Sequence, residues 1–265
     1  MSLPKILTLL WGLALSVSVN AKTPVQAGET INVLWIGNSF TFYNDLPELF
    51  KNIAAQQGVT VENTRLLKGG EKFSGHLKNK GALDTIAMGG WDYVILQEFS
   101  STPAYSTKFV AEDIYPYAET LDSLIHLSSP DAETVLYMTW GHKNGNIRQT
   151  PYPFDDNYTL MQDRIKTTYL DLAYELNAVC APVGMAWETV RRQYPDIQLY
   201  KPDNFHPSLA GSWLAANTIF STIFTKPYES APPQGLPDNE AMILQKVAEE
   251  TVFENAAIIN LNLSN

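Results

Sequence analysis

Two short segments hold the residues whose types and spacing suit covalent chemistry. In the first, INVLWIGNSFTFYNDLPELF at 31–50, an apolar run stops at Gly37-Asn38-Ser39 and a helix-like pattern follows. Ile31, Val33, Leu34, Trp35 and Ile36 read as a strand buried on both faces. Leu46, Leu49, Phe50 and Ile53 recur at helical spacing behind an Asp45 cap, with Pro47 in the first turn. Ser39 thus presents a hydroxyl where a strand gives way to a helix, and ligands bind at that end of the strands in open α/β sheets. A serine there is more often a cap or turn residue, so a second segment matters. In DNFHPS at 203–208, Asp203 precedes His206 by three residues. A serine hydroxyl is a poor nucleophile until a neighbouring base takes its proton, and a carboxylate that orients the base and stabilises its cation completes the device. Ser39, His206 and Asp203 are therefore candidates for nucleophile, base and orienting acid. The plain alternative for the second segment is a loop histidine satisfied by a capping aspartate.

The elements that must position these residues follow from periodicity. Strands are expected at 59–67, ending in Lys68-Gly69-Gly70, and at 91–96, ending in Gln97-Glu98-Phe99-Ser100-Ser101. A fourth is expected at 133–139, ending in Trp140-Gly141-His142, and a short fifth at 178–182. Helical patterns cover 111–127, 157–176, 184–194 and 208–224, and 239–253 behind an Asp238 cap. Strands alternating with helices imply an α/β domain whose parallel sheet is covered on both faces. Each polar cluster then falls at the carboxyl end of a strand, where a site would form. The last helix follows a Pro-rich connection at 230–238 and is expected to pack on the same domain, since a lone helix cannot make a core.

At 265 residues and 45% hydrophobic content the chain can bury a sizeable core, and a single domain over 22–265 suffices. Residues 1–21 stand apart. Lys5 is their only charge, an apolar stretch at 6–19 follows, and Val19-Asn20-Ala21 offers small residues for cleavage. The stretch is short for a membrane span, so a cleaved signal peptide and export to the periplasm or the medium are expected. Cleavage after Ala21 removes one lysine and no acid, taking the net charge of −10 to −11. Such a surface argues against nucleic acid or anionic membrane as partners. The single cysteine, Cys180, lies in an apolar segment and reads as a small buried hydrophobe. Four histidines without ligand spacing argue against a metal site.

IGNSFT, KGG at 68–70, LQEFS at 96–100 and DNFHPS at 203–208 stand in the order of the sequence blocks of the SGNH (GDSL-like) hydrolase superfamily, which the chain resembles over 32–224. It most closely resembles the secreted bacterial subset with a GNSF block in place of GDS. The resemblance implies a flavodoxin-like three-layer α/β/α fold with a mostly parallel five-stranded sheet, no metal or organic cofactor, and ester hydrolysis through an acyl-enzyme. It makes Ser39 the nucleophile, His206 the general base and then acid, and Asp203 the orienting carboxylate. The oxyanion hole would come from the N–H groups of Ser39 and Gly70 and a carboxamide. Gln97 stands where the commoner family pattern has the asparagine of Gly-x-Asn-Asp. Asn38 replaces the aspartate of GDS, a change expected to be harmless because Asp203 already orients the base. His76 is a candidate for the pocket lining, and Trp140, Phe99 and Tyr105 for an aromatic wall against a sugar ring. The leading expectation is a secreted esterase that removes acetyl groups from a sugar or polysaccharide. Its partner would be a small ester or an acetylated carbohydrate, with no stable membrane span after cleavage. The alternatives are a lipolytic or thioester hydrolase of the same fold and a non-catalytic secreted carbohydrate-binding domain.

Overall fold

The computed structural model describes residues 25–145 and 157–263. The segment expected to be a signal peptide lies outside the described residues. Five strands, β1 (Thr30–Gly37), β2 (Thr60–Leu67), β3 (Tyr93–Leu96), β4 (Glu133–Tyr137) and β5 (Val179–Ala181), form one sheet in the order β2-β1-β3-β4-β5. Every neighbouring pair is parallel. This is the flavodoxin-like order, and its switch point lies beside β1.

Ten α-helices lie among the described residues, with short 3-10 turns at Tyr43–Asp45 and Thr102–Ala104: α1 (Ser39–Phe42), α2 (Leu46–Gln56), α3 (Phe73–His76), α4 (Lys80–Ala87), α5 (Thr107–Asp113), α6 (Tyr115–Ser128), α7 (Tyr158–Leu176), α8 (Val183–Gln193), α9 (Leu209–Phe224) and α10 (Asp238–Glu254). Successive strand side chains point to opposite faces, so each strand feeds two cores. Val33, Trp35, Tyr93, Ile95, Val135 and Tyr137 pack with α2, α8, α9 and α10. Leu34, Ile36, Val94, Leu96 and Leu136 pack with α5, α6 and α7. Helix α9 is buried from Ala210 to Phe224, and its Asn217, Thr218 and Thr222 side chains are satisfied by carbonyls one turn back. Helix α10 lays Leu244, Val247 and Ala248 into the first core. Among the described residues no helix is long and apolar enough to cross a membrane.

The helix expected over 111–127 is two. The chain breaks at Ile114 (φ −124°, ψ −58°) and restarts with Pro116 in the first turn of α6, because a proline inside a continuous helix removes a hydrogen bond and clashes with the preceding turn. Helices α3, α4 and α5 were also not expected in full. They are too short for apolar recurrence to show; α4 begins instead on a cap, with Asn79 Oδ1 accepting from Gly81 N at 2.9 Å and Ala82 N at 3.3 Å.

Candidate active site

Strand β1 runs between β2 and β3, with Gly37 opposite Leu67 and Ile36 opposite Leu96. The turn that follows β1 is therefore flanked by both neighbouring strand ends. Lys68 N–H donates to Gly37 O at 3.3 Å and Gln97 N–H to Ile36 O at 2.9 Å. Gly37 has no room for a side chain: a Cβ would lie 2.8 Å from Gln97 Oε1 and 2.9 Å from Thr41 Oγ1. Asn38 is the cap of α1, its Oδ1 accepting from Phe40 N at 3.2 Å. Ser39 opens the helix, where backbone N–H groups have no intrahelical acceptor.

The histidine arrives on a narrow loop. Lys201 N–H donates to His206 O at 2.9 Å, Ser208 N–H donates to Leu199 O at 2.9 Å, and Asn204 turns the tip with φ +66°. His206 Nδ1 donates to Asp203 Oδ2 at 2.7 Å, which leaves Nε2 as the acceptor of the Ser39 hydroxyl at 2.9 Å. Asp203 Oδ1 accepts the N–H groups of Phe205 (3.1 Å) and His206 (3.0 Å). Capping and orientation of the base, weighed as alternatives from the sequence, are thus both performed by one carboxylate. Partial burial pushes the Asp203 carboxyl up, but the bonds from the His206 imidazole and the two N–H groups outweigh it and hold the group below the usual carboxylate range. The imidazole lies between aromatic rings, 4.0 Å from Phe205 and 4.3 Å from Tyr43 between centroids.

Gly70 is left-handed (φ +72°), a conformation that glycine adopts without strain. Neither the Ser39 nor the Gly70 N–H has a hydrogen-bond partner among the described residues. The loop carrying Gly70 is tied to the turn through Asn38, whose Nδ2 donates to Glu71 O at 3.0 Å and Glu98 O at 3.3 Å. Glu98 anchors the far side of that loop: its buried carboxylate accepts Phe73 N–H at 2.7 Å and the Thr102 hydroxyl at 3.0 Å. Burial pushes its pKa up, against the pull of those donors.

Several expected pocket residues lie elsewhere. Gln97 is buried with its Oε1 accepting from Asn38 N at 3.0 Å and Thr41 Oγ1 at 2.9 Å, and its Nε2 donates to Glu98 O. The Asn38 N–H can only donate, so the amide cannot be turned round. The expectation of an oxyanion donor at Gln97 is corrected to a brace behind the turn. Asn38 is buried and joins three strand-end loops, so the expectation that it lines the pocket is corrected, while Asp203 orients the base as expected. His76 is buried, with Nε2 donating to Gly37 O at 3.1 Å; burial lowers its pKa despite that bond and the nearby Glu71, so it is a neutral support of the turn. Trp140 is core. It stacks between Phe40 (4.6 Å) and Trp187 (3.8 Å), and its indole N–H donates to Phe205 O at 3.0 Å, steadying the histidine loop from below. Phe99 and Tyr105 are half-buried. Phe42, 42% exposed, and Tyr43 were missed as neighbours of the serine, although their place just after Ser39 in the sequence pointed to them.

The Gln97 brace has a measurable consequence. Gln97→Ala strands two donors and opens a small cavity, so it should lower stability by about 2–4 kcal/mol. A donor to the oxyanion would instead show as a ~10²–10³-fold loss of kcat at unchanged stability. Thermal melts run beside kinetics separate the two.

A serine–histidine–aspartate array at the carboxyl ends of an all-parallel α/β sheet defines the class: a hydrolase equipped to activate a serine hydroxyl. No family model and no curated protein matches the chain. Solved structures do. A protein from Slackia heliotrinireducens assigned to the SGNH hydrolases is 27% identical, with a TM-score of 0.58 over 73% of this chain and 98% of that one. A DUF4886 family protein from Bacteroides uniformis is 21% identical, with a TM-score of 0.67 over 89% and 97%. A variant of an acetyl xylan esterase from Geobacillus stearothermophilus is 20% identical, with a TM-score of 0.51 over 78% and 100%. The chain belongs to the SGNH hydrolase superfamily.

Proposed function

We propose that the protein is a serine esterase that removes acetyl groups from a sugar or polysaccharide outside the cytoplasm. The observation that carries the reading is the continuous line from Asp203 Oδ2 through His206 to Ser39 Oγ, at 2.7 and 2.9 Å. His206 Nε2 takes the proton of Ser39 as Oγ attacks the ester carbonyl, and Asp203 stabilises the imidazolium. Charge develops on the carbonyl oxygen, where the N–H groups of Ser39 and Gly70 are the donors. Collapse expels the alcohol, protonated by His206, and leaves an acyl group on Ser39. His206 then takes a proton from water, which attacks the acyl-enzyme and releases the acid.

Support for a carbohydrate comes from the aromatic rings around the serine. Phe42, 42% exposed and stacked on Tyr43, offers a flat apolar face of the kind on which sugar rings stack. A relative of like fold is an acetyl xylan esterase. Export rests on the leader at 1–21, as in the secreted GNSF-type subset. Activity should fall steeply from p-nitrophenyl acetate to the octanoate, and acetate should be released from acetylated xylan. Equal or faster hydrolysis of the octanoate would replace this reading with a lipolytic one, and no hydrolysis of any ester would leave the binding-domain alternative.

A further inference from the structure

We propose that Asn44 is a positioning residue that clamps the segment carrying Ser39 to the loop carrying His206 and so sets the distance between them. The inference rests on the esterase reading. Asn44 and Asp45 are consecutive left-handed residues, with φ +53° and +52°. Side chains other than asparagine and aspartate rarely adopt this conformation, and it persists only where the surroundings enforce it. Here the enforcement is visible. Asn44 Nδ2 donates to Pro207 O at 3.1 Å, Ser208 O at 2.9 Å and Ser212 Oγ at 2.8 Å. Ser212, buried in the first turn of α9, returns its hydroxyl to Tyr43 O at 3.3 Å.

The acceptors are the backbone immediately after His206 and the helix that continues it, and the donor follows Ser39 closely in sequence. Tyr43, between them, lies 4.3 Å from the His206 ring. A single carboxamide thus joins two segments that are 163 to 168 residues apart and meet across the reacting pair. The Pro207 and Ser208 carbonyl oxygens can only accept, so a carboxylate at this position could give them nothing.

Glycine adopts the same backbone without strain, so Asn44→Gly separates the clamp from the turn. That variant should remain folded, with kcat for p-nitrophenyl acetate falling by roughly 10²-fold, the usual consequence of a misplacement near 1 Å. KM should change little, because the acyl site is untouched. A crystal structure of the variant should show Ser39 Oγ and His206 Nε2 drawn beyond hydrogen-bond reach. Asn44→Asp should do as badly or worse, and Ser212→Ala, which removes one acceptor, should give a smaller loss in the same direction. A folded Asn44→Gly enzyme with wild-type kcat overturns the clamp, as does an unchanged 2.9 Å contact in its crystal structure. Should that variant fail to fold, wild-type kinetics in Ser212→Ala overturn it. If the wild type hydrolyses no ester, the esterase reading fails and the crystal structure alone decides the clamp.

Discussion

Ser39→Ala is expected to lower kcat for p-nitrophenyl acetate by roughly 10⁶-fold, the loss recorded when the serine of such a unit is removed. His206→Ala should lose about as much, and the double variant should be hardly worse than either single one. The reason is mechanical: the hydroxyl attacks only as Nε2 takes its proton at 2.9 Å, so neither atom is useful without the other. Asp203→Asn should cost less than the ~10⁴-fold seen where the acid is buried, because the Asp203 side chain is 36% exposed and water screens it. Melting temperatures should stay close to wild type for Ser39→Ala, whose hydroxyl makes no core contact. Near-wild-type turnover in Ser39→Ala, free of contaminating esterase, would place the nucleophile elsewhere. Losses that multiply in the double variant would contradict a shared mechanism.

Asn38→Asp is expected to be the most damaging conservative change outside the reacting residues. Asn38 Nδ2 donates to Glu71 O and Glu98 O from a buried position. A carboxylate there has no hydrogen to give, faces two carbonyl oxygens and lies close to Glu98. Stranding buried groups of this kind costs on the order of 3 kcal/mol, and more when one is charged. For a domain of this size that is a fall in Tm of roughly 10 °C. The sign of the pH dependence follows from the same contacts. The new carboxyl would have a raised folded pKa, so the folded state would bind a proton more readily than the unfolded one. The deficit should then be greatest at neutral pH and shrink as pH falls into the carboxylate range, where the protonated side chain donates again. A variant as stable as wild type at pH 7 would show that the two Nδ2 bonds contribute nothing.

Much of the fold was legible because its signals are local. The run from Ile31 to Ile36 and the recurrence of Leu46, Leu49, Phe50 and Ile53 carry strand and helix periods within a few residues, and β1 and α2 form there. The break at Ile114 was written in Pro116 but masked by the apolar residues on either side. Asp203 and His206 were legible as a pair because one short loop presents both.

What the sequence by itself determined is therefore the alternation of elements and the chemical kinds available at the strand ends: a hydroxyl, an imidazole and a carboxylate. What only the tertiary structure decided is which way each polar group faces. Gln97 resembles an oxyanion donor by position, yet the Asn38 N–H turns its oxygen to the turn. His76 and Trp140 resemble pocket residues by composition, yet they support the Gly37 carbonyl and the histidine loop from within. Asn44 carries no motif at all and holds Pro207 and Ser208 across the site. A hydrogen bond is short and directional, so its partner depends on atoms brought together by packing from far along the chain, and no pattern within one segment records that.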